Sequence, residues 1–311
     1  MPELSVGPQR WPVAPGSNLL DALNDAGLNV PYSCRAGSCH ACMVRCVAGE
    51  PLDSTPGALT AAQRQAGWRL ACQCRVTDDL EVALFDPRRD GLDAELIACD
   101  WLSAGVLRLR LRPERPLRYH AGQHLLLYSG VVARPYSIAS LPQQDDFLEF
   151  HLDCRRPGAF IDRARSFQVG DHLRLGELRG GALHYDPDWQ QRPLWLLAAG
   201  TGLAPLWGVL REALRQEHQG LIRLVHAVQE DGEYYLAEPL RALAAQYPQL
   251  EVEFHAPADL PSALSRLRLP SRQTQALVCG SPASVEAFSR RLFLAGLPRN
   301  QLLSDVFTGR A

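Results

Sequence analysis

The chain has 311 residues, 34 acidic against 32 basic, a net charge of −2 and 46% hydrophobic residues, which at roughly 100–200 residues per domain makes a globular protein of two or three domains. Every basic residue is Arg; with no Lys there is no P-loop and no Schiff-base chemistry. No apolar stretch approaches the roughly 18–20 residues of a membrane helix, no secretory signal opens the chain, and no basic run offers a nucleic-acid footprint.

A cytoplasmic protein without membrane or nucleic-acid partners is therefore expected. In that reducing compartment, six of nine Cys crowded between Cys34 and Cys74 point to a metal or redox site rather than to disulfides.

The first region runs to about residue 90 and ends in the polar linker Asp86-Pro-Arg-Arg-Asp-Gly91. A helix is predicted from Leu19 to Ala26, with Ser17 as N-cap and Gly27 closing it. Next comes Cys34-x4-Cys39-x2-Cys42 and, 29 residues later, Cys72. Thiolates ligate soft metals, and this spacing is that of a plant-type [2Fe–2S] site. Small residues in Arg35-Ala-Gly-Ser38 let backbone N–H groups wrap closely around a negatively charged cluster. A zinc site from Cys39, Cys42, Cys72 and Cys74 is the competing arrangement, but structural zinc favours paired short spacings at both ends, and Cys72-x-Cys74 is too close. The first ninety residues carry 8 Arg and 10 acids, too weak a bias to steer a basic partner.

The second region, about 91–188, reads as β structure. Val106–Leu111 alternates with period two, as do parts of 123–128 and 147–152, between turns at Pro113, Gly122, Gly130, Pro142 and Gly170. Short strands at this spacing predict an antiparallel barrel. The third, 189–311, alternates strands (Leu194–Ala199, Leu221–Val228, Glu251–His255, Ala276–Cys279) with helices (Leu206–Leu214, Leu240–Tyr247, Ser284–Ala295), which predicts a parallel α/β sheet. In it, Gly200-Thr-Gly-Leu-Ala-Pro205 follows a strand and opens a helix, a geometry that sets a pyrophosphate on free N–H groups. The expected fold class is thus multidomain α+β and α/β: a small cluster domain (1–90), an antiparallel β-barrel (91–188) and a parallel-sheet nucleotide domain (189–311).

Pro31-Tyr-Ser-Cys-Arg-Ala-Gly-Ser-Cys-His-Ala-Cys42 resembles the cluster loop of plant-type ferredoxin domains in bacterial oxygenase reductases. Arg69-Leu-Ala-Cys72-Gln resembles the segment holding the last ligand, so Cys72, rather than Cys46 or Cys74, is implied beside Cys34, Cys39 and Cys42. Arg134-Pro-Tyr-Ser137 resembles the flavin motif of the ferredoxin–NADP reductase superfamily. That resemblance implies a flavin phosphate on Arg134, Tyr136 on the isoalloxazine, the Ser137 hydroxyl at N5, and Pro135 within the same strand.

Gly158 resembles the glycine of a second flavin motif, although Ile161 stands where a Ser or Thr is usual. FAD is implied over FMN. Gly200-Thr201-Gly202 resembles the superfamily's nicotinamide loop, and Cys279-Gly280-Ser-Pro282 the later segment in which a Cys lies near the nicotinamide–flavin contact. Phe307 resembles a residue near the flavin in the C-terminal Asp-Val-Phe.

The acids in Gln229-Glu-Asp-Gly-Glu233, with no cation for a 2′-phosphate, favour NADH over NADPH; Arg223 and Arg241 are the residues that could supply one. His40, His120, His124 and His184 read as turn or surface residues. Together the resemblances imply an NADH-dependent reductase passing electrons through FAD and a [2Fe–2S] cluster to an external acceptor such as an oxygenase component. A sugar-dehydratase, ferric or free-flavin reductase is the alternative, with a non-catalytic redox sensor further off.

Overall fold

The computed structural model describes all residues except 33, 38, 39, 131, 181, 182, 229–233 and 308–311. Its three main sheets follow one another along the chain.

The first holds strands β1 (Glu3–Val6), β2 (Gln9–Pro12), β3 (Met43–Ala48), β4 (Trp68–Leu70) and β5 (Leu80–Ala83) in the order β2-β1-β5-β3-β4. Helix α1 (Leu19–Asp25) covers it, burying Leu19, Leu20 and Leu23. Asn18, not Ser17, is the N-cap, accepting from the Asp21 N–H at 3.3 Å. Ser17 and Asn18 both lie in a short ladder, opposite Val76 and Arg75. The sequence pattern shows none of these strands; β1, β2, β4 and β5, at three or four residues, are too short to show a period.

The second sheet is antiparallel and curled. It contains β6 (Leu92–Ser103), β7 (Val106–Pro113), β8 (His124–Ser129), β9 (Val132–Ser137), β10 (Leu148–Asp153) and β11 (His172–Arg179), ordered β9-β8-β11-β6-β7-β10. The Ala139 N–H donates to the Glu149 carbonyl at 2.8 Å and draws the two end strands together. The predicted alternation is realised in β7: Leu107, Leu109 and Leu111 point into the core, while Arg108 and Arg110 pair outside with Asp100 and Glu149. Pro135 sits in edge strand β9, where its missing N–H breaks no inner ladder. Helix α2 (Ala159–Ala164) packs Phe160 and Ala164 into the same core.

The third sheet is wholly parallel: β12 (Leu194–Ala199), β13 (Ile222–Ala227), β14 (Leu250–His255), β15 (Gln275–Gly280) and β16 (Leu302–Val306), ordered β14-β13-β12-β15-β16. Helices α3 (Leu203–Arg215), α4 (Ala237–Gln246) and α5 (Pro282–Leu294) connect or cover it. Both faces of β12 are buried, which is why it reads as an unbroken apolar run. Helix α3 begins three residues earlier than its sequence pattern suggests, and Ser281 caps α5. The strand order reverses between β12 and β15, and such a switch point opens a crevice at the strand C-termini.

Val106, Ala121 and Leu141 of the curled sheet lie in one apolar core with Leu194, Leu206 and Val209 of the third unit. Arg211 of α3 forks onto Asp145 at 2.7 and 3.0 Å. The cluster domain meets the curled sheet through a smaller patch of Ala41, Leu126, Tyr128 and Ala133, with Phe85 stacked on Tyr128 at 5.4 Å.

Candidate functional site

Among the candidate thiols, Cys42 is buried and Cys34 and Cys72 are half-buried, while Cys39 lies outside the described residues. A hydrogen bond with the Cys42 thiol pulls the Cys72 thiol down to about 6 against the opposing effect of burial, with further donors at the Gln73 amide and the Gly37 N–H. Gln73 Nε2 reaches Cys72 Sγ at 3.3 Å and the Arg35 carbonyl at 2.8 Å, tying the distant ligand segment to the loop. The Ala36 N–H points at Cys34 Sγ at 3.3 Å.

A Cβ on Gly37 (φ +79°) would press on Gln73 Cγ and Thr55 Oγ1 at 3.3 Å, so this turn needs glycine. Asn18 Nδ2 holds the Cys72 carbonyl at 2.9 Å. Donors aimed at sulfur are what a thiolate-ligated, negatively charged cluster requires. The residues fit that group.

Cys74 is fully buried on its short strand, and burial pushes its thiol far up; burial likewise pushes Cys46 to about 11. Among the described residues no three Cys, His, Asp or Glu gather around one point as a single metal ion would need. A two-iron cluster divides four thiolates between two irons, and one of the four candidates is Cys39.

On β9, Arg134 Nη1 donates to the Ala133 carbonyl at 2.8 Å, Tyr136 lies half-buried against Phe160 with ring centroids 5.2 Å apart, and Ser137 is buried opposite His124. Gly158 precedes α2 in extended conformation with open space where a Cβ would stand. Ile161, at the position where a hydroxyl is usual, packs against the core of the curled sheet. That explains an apolar residue there: the side chain contributes to packing.

Gly200-Thr201-Gly202 forms a single 3-10 turn between β12 and α3. Gly200 has φ +54°, and a Cβ on Gly202 would fall 2.3 Å from the Cys279 carbonyl oxygen. Gly280 (φ +149°) leaves no room either, its Cβ meeting that of Ala199 at 2.8 Å. Two backbones thus come together at the switch point, where amides at a helix start can face an anion in the crevice. Cys279 is wholly buried, and burial with Asp305 nearby keeps its thiol protonated. The Phe307 N–H donates to the Gly280 carbonyl at 2.8 Å, holding the C-terminal segment across the same turn.

The acids of Glu230–Glu233 lie outside the described residues. The two candidate cations are engaged elsewhere, Arg223 on Glu253 at 2.6 Å and Arg241 on Glu238 at 2.5 Å.

The three regions converge. Asp305, register partner of Cys279, is raised by burial and feels both His124 and Cys34; His124 is register partner of Ser137. His40, beside Cys39, is lowered by burial and by the charges of Arg179 and His124. His124 is therefore a buried strand residue at this junction, not the surface residue its surroundings in sequence suggest.

Three further groups carry no motif. His226, fully buried, is held at about 4 by burial and faces the Gly200 carbonyl through Nε2 at 3.2 Å. Tyr235 bridges His226 and His151 edge-on at 5.3 and 5.4 Å. Glu149, despite burial, is drawn down to about 2 by His151 and Arg110. The only sequence signal of His226 and Glu149 is a polar side chain inside an apolar strand, and Tyr235 lies in a turn with no signal.

Thiol loop, flavin-type sheet and nucleotide-type α/β unit in this order define an iron–sulfur flavoprotein reductase. The family "2Fe-2S iron-sulfur cluster binding domain" matches residues 6–77 and "Oxidoreductase NAD-binding domain" residues 196–290. The chain is 30% identical to the reductase subunit of an aromatic O-demethylase from Amycolatopsis, over 93% of this chain and 94% of that one. It is 29% identical to the ferredoxin–NAD(P)+ reductase component of naphthalene 1,2-dioxygenase/salicylate 5-hydroxylase systems from Ralstonia, over 94% of each. The crystal structure of an Amycolatopsis cytochrome P450 reductase superposes with a TM-score of 0.67 at 27% identity, covering 99% of both chains. The chain belongs to the family of ferredoxin–NAD(P)+ reductase components of oxygenase systems. It is an oxidoreductase with a [2Fe–2S] cluster-binding domain and a nicotinamide-dinucleotide-binding domain. Among the described residues no helix is long and apolar enough to cross a membrane.

Proposed function

We propose that the chain is a cytoplasmic NADH-dependent reductase that passes electrons through FAD and a [2Fe–2S] cluster to an external acceptor protein, an oxygenase component. Its working units are 1–90, 91–188 and 189–311. Bound FAD supplies the conversion of a two-electron donor into two one-electron deliveries, and the cluster supplies one-electron carriage.

The chain's own groups bind, orient and exclude water. Cys34, Cys39, Cys42 and Cys72 hold the cluster, with the N–H groups of Ala36 and Gly37 and the Gln73 amide offsetting charge on the thiolates. The Arg134 guanidinium offers a fork to a flavin phosphate, Tyr136 a flat apolar face and Ser137 a buried hydroxyl. Gly200, Thr201 and Gly202 present amides to the dinucleotide pyrophosphate, and the buried Cys279 and Gly280 close the crevice. The neutral Cys279 thiol acts there by contact rather than by ionisation.

What carries this reading is convergence: Cys34, Asp305 and His124 bring the cluster loop, the nucleotide sheet and the Ser137 strand to one junction. The test is an anaerobic titration of purified protein with NADH and with NADPH, followed in the visible spectrum. Flavin and cluster bands bleached by NADH at far lower concentration than by NADPH are expected. A colourless protein, or one answering only to NADPH, would refute it.

A further inference from the structure

Gly200 opens the nucleotide turn with no side chain and a left-handed φ of +54°. Glycine has more backbone freedom to lose on folding than any other residue, so a turn built on it is not fixed by its own side chains. Yet the amides that follow receive an anion only when the chain holds one orientation. Two donors hold the Gly200 carbonyl. The Leu203 N–H comes from the end of the same turn. The other, His226 Nε2 at 3.2 Å, comes from a different strand.

His226 reaches the turn by register. It lies opposite Ala198 in the parallel ladder of β12 and β13, and Gly200 follows Ala198 by two residues. A carbonyl oxygen can only accept, so Nε2 carries the proton. Burial keeps the ring neutral, at about 4, and Nδ1 is then without one. Tyr235 stands perpendicular to the imidazole with centroids 5.3 Å apart, and Phe254 crosses it at 68° and 6.3 Å. These two rings set its tilt.

Packing alone does not call for an imidazole here. Leu224, Val225 and Ala227 beside it in β13 are buried and apolar, and Nδ1 has no hydrogen-bond partner among the described residues. An unanswered polar atom in such surroundings costs stability that a Phe or Leu would keep. What His226 supplies, and neither of those can, is an N–H on the Gly200 carbonyl.

We propose that His226 is a positioning residue for the nicotinamide dinucleotide: from β13 it fixes the Gly200 carbonyl, and with it the Gly200–Gly202 turn that receives the pyrophosphate. This rests on the assignment of that turn to the dinucleotide made above. Affinity for the dinucleotide then depends on a fully buried side chain, which Tyr235 and Phe254 keep in line.

The experiment compares His226→Phe, His226→Leu and His226→Gln in the full chain, with folding read from circular dichroism and a thermal melt. Phe keeps a ring without the donor, Leu replaces it should the larger ring not fit, and Gln carries an amide N–H in place of Nε2–H. Binding of ADP-ribose, which has the pyrophosphate and no nicotinamide, is measured by titration calorimetry. Stopped-flow flavin reduction across NADH concentrations separates the apparent Kd from the limiting rate.

Loss of one hydrogen bond, felt at the turn, is expected to weaken both ligands by about 2- to 12-fold in His226→Phe and His226→Leu. The limiting rate should hold, and His226→Gln should recover most of the affinity. Unaltered ADP-ribose affinity in either folded donor-free variant overturns the proposal. So does His226→Gln binding as weakly as those two. Failure of the unaltered protein to bind ADP-ribose refutes the underlying assignment instead, so the two failures are separable.

Discussion

Replacing Gly202 by Ala tests the nucleotide crevice most sharply. The added Cβ would stand 2.3 Å from the Cys279 carbonyl oxygen, 2.5 Å from its carbon and 2.8 Å from the Gly280 nitrogen, where ordinary contact begins near 3.4 Å. All three atoms are backbone, so no side chain can swing away, and the turn and β15 must part by about 1 Å. Overpacking of this kind costs about 1–3 kcal/mol. Felt wholly at the crevice, and at 1.4 kcal/mol per tenfold, that weakens NADH binding by about 5- to 150-fold. Stopped-flow flavin reduction across a range of NADH concentrations gives the apparent Kd directly. Gly57→Ala, with nothing within 4 Å and no positive φ, is the matched control and should be silent. Wild-type NADH affinity together with unchanged thermal stability in Gly202→Ala would refute the packing of these two segments.

Acid should remove stability over two successive pH ranges. His226 is held near 4 when folded against an ordinary 6.5, so the unfolded chain takes up the proton first and about 3 kcal/mol is lost as pH falls from 6.5 to 4. Glu149, near 2 when folded against 4.5, contributes about 3 kcal/mol above pH 4.5 that disappears between 4.5 and 2. Urea unfolding at stepped pH measures both; His226→Phe should flatten the upper stage and Glu149→Gln the lower, and unaltered slopes would contradict the assignments. Arg211→Ala removes the fork onto Asp145 between α3 and the curled sheet and should cost about 1.5–3 kcal/mol. A thermal midpoint unmoved by that change would show the contact to be energetically idle.

The candidate cofactor motifs were legible because each is a run of residues close in sequence: the thiol loop, the Arg134–Ser137 strand end and the Gly200–Gly202 turn. The parallel unit was legible because buried strands such as Leu194–Ala199 are continuous apolar runs. The cluster-domain strands were not, since runs such as Trp68–Leu70 contain too few residues for a period. Asn18 and Ser17 are adjacent capping types, and only the reach of the Asn18 side chain to the Asp21 N–H decides between them. The contact of Arg179 with Met43, 136 residues away, is encoded in no local pattern.

The central claim is that four thiols from this chain hold a cluster lying beyond the flavin on the electron path. Low-temperature EPR of dithionite-reduced Cys72→Ser and Cys74→Ser, beside NADH-driven flavin bleaching, tests it most directly. Cys72→Ser should lose or grossly alter the cluster signal while NADH still bleaches the flavin, and Cys74→Ser should keep both. A normal signal in Cys72→Ser, or its loss in Cys74→Ser instead, would contradict the account.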